Sequence, residues 1–311
     1  MELKDAFRPS ALISELFFPR LGDRGVVAGA VARIADEGFY EGVEVATIDD
    51  AEERRRIGGI VRERGLLLNC WTVLVLAAEG LSLCATDATL RRRCVSRLKE
   101  LMEPAAEMGT LGFGVNSGPD PGPAARDGAT DALSDSLCEL ADALAAFAPM
   151  FLMIEPLDRG ADKNGLIGPT DECLAFVRRV REHHPTVSIT WDTSHVALCG
   201  EDLCASLASC RDVIYQMHFA NPVTDRASPL CGDTHVPFGP PGLLGPADLA
   251  QVIAAAVEAG LAGARRTLVA AEIRTPPGGN PWATEALGRR TLEEAWRIYE
   301  RLQCGAHDGE A

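Results

Sequence analysis

The feature that most constrains this chain is an alternation repeated eight times. A short apolar run, of the kind that forms a strand buried on both faces, is followed by a longer stretch with apolar residues at helical spacing. Residues 11–18 (ALISELFF) are expected to form the first strand and residues 24–38 the first helix, closed by Gly38. Residues 41–48 give a second strand with Glu44 near its end, and residues 49–65 a helix opened by Asp49 and Asp50 and closed by Gly65. The third and fourth strands are LLLNCWTV (66–73) and LGFGVNSG (111–118), and the helix between them, 88–109, is expected to break or end near Pro104. MFLMIE (150–155), VSITWD (187–192), DVIYQMH (212–218) and RTLVAAEIR (266–274) supply the other four strands, and a last helix runs from Pro281 to about Leu302. Eight such units in one parallel-sheet period predict a closed (β/α)8 TIM barrel, a single α/β domain over residues 1–302, with 303–311 as a flexible tail. No G-x-G-x-x-G follows an early strand, so a doubly wound dinucleotide fold is not expected.

The later runs share an ending. They deliver Glu155, Asp192, His218 and Glu272 to one rim, the end at which barrel enzymes keep their chemistry. One strand-end carboxylate alone is explained by a helix cap or an arginine partner. Four in series, with His195 at the D-x-x-H offset from Asp192, point to a site for one divalent ion: Mn, Mg, Co or Zn. Asp233 and His235, in the loop after the seventh strand, have two readings. They contact substrate or a second metal, or else Asp233 closes an Asx-turn and His235 packs under the loop. Arg274 lies two residues beyond Glu272 on the same strand face, where it either pairs with a core carboxylate or contacts substrate. Lys163 is expected at the exposed surface, as are His183 and His184 in the last turn of their helix.

Composition narrows the partners. With 311 residues and 47% apolar content the chain can bury one large core. Its net charge of −15, from 45 acidic against 30 basic residues, repels phosphodiester backbones and anionic membranes, so no nucleic-acid or membrane partner is expected. Ten scattered cysteines without a C-x-x-C read as free thiols, and the first ten residues lack the apolar segment of a secretory signal. Asn69, Glu79, Gly80 and Ser82 interrupt the apolar run 66–85, which fits a buried strand followed by a lid-like loop better than a membrane span. A cytoplasmic protein is expected.

MIEP (153–156), WDTSH (191–195), MHFAN (217–221), GDTHVPFGPPG (232–242) and AAEIR (270–274), in that order, resemble the xylose-isomerase-like TIM-barrel superfamily. That superfamily holds sugar isomerases and epimerases and the family 2 AP endonucleases. Before residue 110 the likeness is carried only by GFYEGVEV (38–45). The resemblance implies Glu155, Asp192, His218 and Glu272 as metal ligands and His195 as a contact to substrate oxygen. It also implies a second-metal position at His195, Asp233 and His235, as in the endonuclease branch. That branch adds histidines at the ends of strands three and four, where this chain has Asn69-Cys70-Trp71 and Val115-Asn116-Ser117, so the full zinc cluster is incomplete. The implied activity is isomerisation or epimerisation of a ketose, aldose or related α-hydroxy ketone through an enediolate, with Glu155 and Glu272 transferring the proton. The expected substrate contacts are His195, Arg274, Asn116, Trp71, Asp233 and His235. The expected partner is a small sugar, and the expected assembly a homo-oligomer, dimer or tetramer. The alternative is a lyase or dehydratase acting on a keto-sugar or inosose through the same enolate, and behind it an AP-endonuclease-type phosphodiesterase.

Overall fold

The structure, a computed structural model, describes residues 2–307. Strands β1 (Arg8–Leu12), β2 (Gly42–Ala46), β3 (Leu67–Trp71), β4 (Thr110–Asn116), β5 (Phe151–Glu155), β6 (Ser188–Asp192), β7 (Ile214–Ala220) and β8 (Leu268–Glu272) follow one another around a closed barrel. Every neighbouring pair is parallel, and β8 closes on β1 with Pro9 opposite Val269 and Ser10 opposite Ala270. The expected single-domain TIM barrel is therefore the fold.

The helices are α1 (Leu3–Ala6), α2 (Ile13–Leu16), α3 (Val26–Glu37), α4 (Ala51–Arg64), α5 (Val73–Glu79) and α6 (Ala88–Glu107) in the first half of the chain. The second half adds α7 (Arg126–Leu144), α8 (Thr170–Arg181), α9 (Thr193–Leu198), α10 (Leu203–Cys210), α11 (Pro246–Glu258) and α12 (Pro281–His307). Local chemistry sets several of their ends. Asp50 caps α4 by accepting from the main-chain N–H of Glu52 and Glu53, and Gly65 ends that helix in the left-handed conformation at φ 65°. Asp87 caps α6 in the same way through Thr89 and Leu90.

Four elements differ from what the sequence suggests. The first strand stops at Leu12, and residues 13–16 turn into α2, which keeps Ile13 and Leu16 buried while bringing Glu15 to the rim. Helix α6 continues past Pro104 to Glu107, because Leu101, Met102 and Ala105 bury its face on the barrel and packing outweighs the lost N–H. Part of the apolar run 66–85 forms α5 rather than a loop. Helix α12 extends beyond Leu302 to His307, so the start of the expected tail is helical, and residues 308–311 lie outside the described residues.

Most of the apolar core lies between barrel and helices, in one continuous cluster. The barrel interior instead carries a buried polar layer. Asn69 Nδ2 donates to Gln216 Oε1 (2.5 Å), and Gln216 Nε2 donates to Glu44 Oε2 (2.9 Å) and Thr190 Oγ1 (3.1 Å). Such groups are tolerated inside a protein only when paired in this manner. Gly114 makes room for the next layer up: a Cβ there would stand 2.4 Å from Cε3 of Trp71. All ten cysteines are unpaired. Among the described residues no helix is long and apolar enough to cross a membrane.

Candidate functional site

Strands β5 to β8 bring their four end residues to one place. One ligand atom from each of Glu155, Asp192, His218 and Glu272 lies within 4.8 Å of the others. Strand register produces part of this directly, since Asp192 pairs with His218 across β6 and β7, and Ala220 with Glu272 across β7 and β8. Asp192 Oδ1 accepts from the main-chain N–H of Ser194 (2.7 Å) and His195 (3.1 Å), capping α9. Both readings of a strand-end acid thus hold for Asp192, because its other oxygen, Oδ2, is buried without a hydrogen-bond partner.

His218 Nδ1 is the second buried atom in this place without a hydrogen-bond partner, although it lies 2.9 Å from Glu272 Oε2 and 3.4 Å from Glu155 Oε1. Its other nitrogen is committed. Nε2 lies 3.0 Å from Glu44 Oε2, a contact that keeps a proton on that side and would leave the Nδ1 lone pair to an ion bound among the carboxylates. Leaving two buried polar atoms unsatisfied costs about 1–3 kcal/mol each. A divalent cation removes that penalty with three carboxylates and one imidazole, a donor set suited to a hard or borderline ion. The charges agree. Burial and the neighbouring Glu272, Asp233 and Glu155 push Asp192 up to about 8, against the pull of His195. Burial lowers His218, but Glu44 and Glu272 override it and hold the imidazole well above its ordinary value.

Glu44 is the residue whose role the sequence did not disclose. It is fully buried and accepts from Ser10 Oγ (3.0 Å), Trp71 Nε1 (2.9 Å) and Gln216 Nε2 (2.9 Å), besides facing His218. Burial pushes its pKa up, yet His218 and these donors win and keep it ionised below the usual carboxylate range. Trp71 therefore commits its indole N–H to Glu44, and its ring, 5.6 Å from that of His218, lines a cleft with Leu12, Val73, Leu74, Glu155 and Glu272. Asn116 sits beside Glu155 in the β4–β5 register and is half-buried.

A second cluster adjoins the first. His235 Nε2 is 2.9 Å from Asp233 Oδ2 and 3.5 Å from Glu272 Oε1, while its Nδ1 is 2.8 Å from Glu15 Oε2. His195 Nε2 approaches Asp233 Oδ2 at 3.8 Å, and its Nδ1 is 3.3 Å from Oδ2 of the buried Asp158. Asp158 Oδ1 also accepts from the main-chain N–H of Asp162 (2.6 Å) and Lys163 (3.1 Å), tying the loop after β5 to this histidine. Burial lowers both histidines, but the carboxylates around them prevail: His195 rises to about 10, and His235 stands well above its ordinary value.

Asp233 Oδ1 accepts from Ser194 Oγ at 2.7 Å, and its Oδ2 meets His235 two residues on, so this loop is tied both locally and across to α9. Lys163 is exposed as expected, yet its Nζ also lies 3.0 Å from Asp162 Oδ2 and 3.5 Å from Asp233 Oδ2. Arg274 forms the salt bridge, with Nε 2.7 Å from Glu15 Oε2 and its guanidinium 4.9 Å over the Phe18 ring. Burial raises Glu15, but His235 and Arg274 bring it down to about 2. His195, Asp233 and His235 are neighbours, as the resemblance implies. Among the described residues, however, the other group with ligand atoms within 4.8 Å of one another is Glu15, His235 and Glu272. Lys163 and Arg274 already bring positive charge to that corner, in competition with a second ion.

Comparison with known proteins follows the geometry. The profile of the family described as xylose isomerase-like TIM barrel matches residues 31–287. Among solved structures, a family 2 AP endonuclease from Brucella melitensis shares 18% identity, covering 88% of this chain and 95% of that one, with a TM-score of 0.65. D-psicose 3-epimerase with D-tagatose, from Clostridium cellulolyticum H10, shares 13% identity over 95% and 99% of the two chains, at 0.66. The IOLI protein with a bound zinc atom shares 13% over 95% and 96%, at 0.64. Comparison with curated proteins found no match by sequence. At these identities the solved structures establish the fold.

Proposed function

The chain belongs to the xylose isomerase-like TIM barrel family, and from that premise we propose that it is a divalent-metal-dependent isomerase or epimerase of a ketose, aldose or related α-hydroxy ketone. The observation that carries this is the pair of buried, unpartnered atoms, Asp192 Oδ2 and His218 Nδ1, facing Glu155 and Glu272. Glu155, Asp192, His218 and Glu272 would hold the ion, which supplies a Lewis acid for the carbonyl and a neighbouring hydroxyl of the substrate.

The remaining chemistry belongs to side chains. Glu155 and Glu272 come from strands that are not adjacent, and both have oxygens close to His218 Nδ1, so they can flank a small substrate. One removes the proton next to the carbonyl and the other returns it to the opposite face or the adjacent carbon. His195, whose Nε2 stands 3.8 Å from the nearest Asp233 oxygen, donates to a substrate oxygen that gains negative charge, while His235, held by Glu15 and Asp233 at both nitrogens, adds positive charge beside Glu272. Trp71 and the loop after β7 exclude water. Asn221 holds that loop, donating to the carbonyls of Pro237 (2.8 Å) and Gly239 (3.2 Å) and accepting from Leu244 N–H (2.7 Å). The epimerase and zinc-bound neighbours support this reading.

The test uses manganese-loaded protein, a panel of free ketoses and inososes, and heavy water. Solvent deuterium should enter the carbon next to the carbonyl, and the mass should otherwise be conserved. Release of water or another fragment would mark a lyase instead. Glu272→Gln should fold normally and lose about a hundredfold or more in turnover, and unchanged turnover would remove the two-carboxylate scheme.

A further inference from the structure

At the opposite, N-terminal mouth of the barrel the charge reverses. A cavity of about 310 Å3 opens there, where β1, β3, β6, β7 and β8 begin, and Arg8, Arg181, Arg265 and Arg266 line it together with Ser188 and Tyr215. In a chain with net charge −15, four arginines lining one cavity are out of keeping with the composition as a whole. Asp212 is the acid in the lining, and Glu41, outside it, is taken up by Arg8 (3.7 Å) and Arg266.

The arginines are held in place by carbonyls that do not neutralise them. Arg181 Nη1 donates to the Val187 carbonyl (2.6 Å), just before β6. Arg265 donates to the Arg211 carbonyl (2.8 Å) and to that of Ile214, at the start of β7. Among the described residues neither Arg181 nor Arg265 has a carboxylate within ion-pair distance. Burial draws Arg265 below its ordinary value by more than Asp212 restores, as for a cation without a close counter-charge. Arg266 Nε is buried with no hydrogen-bond partner. Capping a strand-end carbonyl needs one neutral donor, whereas a guanidinium carries five N–H groups in a fixed fork. Arg181 uses one of its five on a carbonyl and Arg265 uses two. The remaining donors, already oriented, suit a tetrahedral oxyanion that accepts several hydrogen bonds at once.

We propose that this mouth is a binding site for a phosphate dianion, either free phosphate or the phosphoryl group of a small metabolite, separate from the metal-ligand cluster at the other end of the barrel. The experiment is calorimetric titration of the metal-loaded protein, at fixed ionic strength, with inorganic phosphate and with glucose 6-phosphate, and with glucose as the uncharged control. One of the two anions should bind with a Kd of about 1 mM or tighter, a free energy of roughly −4 kcal/mol, and glucose should not reproduce it. Tighter binding of the ester assigns the cavity to a phosphorylated metabolite, and tighter binding of inorganic phosphate to the free ion. The Arg181→Ala/Arg265→Ala double variant should weaken binding at least about tenfold, while Glu272→Gln leaves it unchanged. Should the double variant fold poorly, Arg265→Gln retains a donor for the carbonyls, removes the charge, and should still weaken binding severalfold. Absence of binding by either anion, or affinity that survives the arginine variants or is lost in Glu272→Gln, would overturn the assignment.

Discussion

Replacing Glu44 by glutamine separates metal affinity from fold stability. The amide has nearly the shape of the carboxylate and retains one oxygen, which can stay on the side of Trp71, Gln216 and His218, where three donors now converge on Oε2. The new NH2 then faces Ser10 Oγ, at 3.0 Å from the present Oε1, which can accept from it. The barrel should therefore close as before, with a stability loss of about 1–3 kcal/mol from weaker, uncharged hydrogen bonds in a buried layer. His218 loses more. Its Nε2–H no longer faces an anion, so Nδ1 becomes a poorer electron-pair donor, and removing such a supporting carboxylate typically weakens metal binding by about 10–100-fold. At about 1.4 kcal/mol per tenfold, that is a loss of about 1.4–2.8 kcal/mol of binding free energy. The assay is manganese titration by calorimetry alongside a thermal melt, with Glu53→Gln as control. Glu53 is also buried and accepts from Gly25 N–H and Ala28 N–H (both 3.0 Å), neither of them a proposed ligand or a partner of one. Glu53→Gln should lower the melting temperature and leave the manganese Kd alone. If Glu44→Gln does the same, the carboxylate is only a structural group and the reasoning fails.

Two further outcomes follow from the same geometry. Asp158→Asn should reduce turnover by about tenfold or more, because His195 loses the anion facing its Nδ1, which orients its ring and, after Asp233, helps to keep it charged; a manganese Kd within twofold of the parent's distinguishes this from damage to the metal site, and unchanged turnover would refute it. Thiol titration of the native protein at pH 8 should show prompt reaction at the exposed Cys304 and very slow reaction at Cys70, Cys94 and Cys210. Burial pushes those three up to about 12, so almost none of each is thiolate at that pH, and denaturant should release them together.

The barrel and its four convergent side chains could be read from sequence because strand periodicity leaves a local trace. Each apolar run states where it ends, and the ending residue is the one that reaches the rim. Glu15 and Glu44 left no such trace. Glu15 lies inside what looks like one continuous strand, ALISELFF, and only the turn at Ile13 carries it towards His235 and Arg274, more than two hundred positions away. Glu44 was visible as an acid near the end of a strand, but its partners lie 27 and more than 170 residues downstream, and no local pattern reports a pairing of that kind. The passage of α6 through Pro104 was hidden for a related reason, since the packing of Leu101, Met102 and Ala105 that sustains it is a long-range property. Asp158 had a faint signal, a carboxylate three positions beyond Glu155, that only its buried contact with His195 makes meaningful.

The strands that carry the proposed ligands are consecutive, β5 to β8, whereas Leu12, Trp71, Val73 and Leu74 on the cleft wall belong to β1, β3 and the helix after β3. Heredity can therefore act on the two halves at different speeds. Substitutions in the first half would reshape what is admitted, while the later strands keep their grip. Glu44 is the exception, a first-half residue that steadies a second-half imidazole, and it marks where such drift would have to stop.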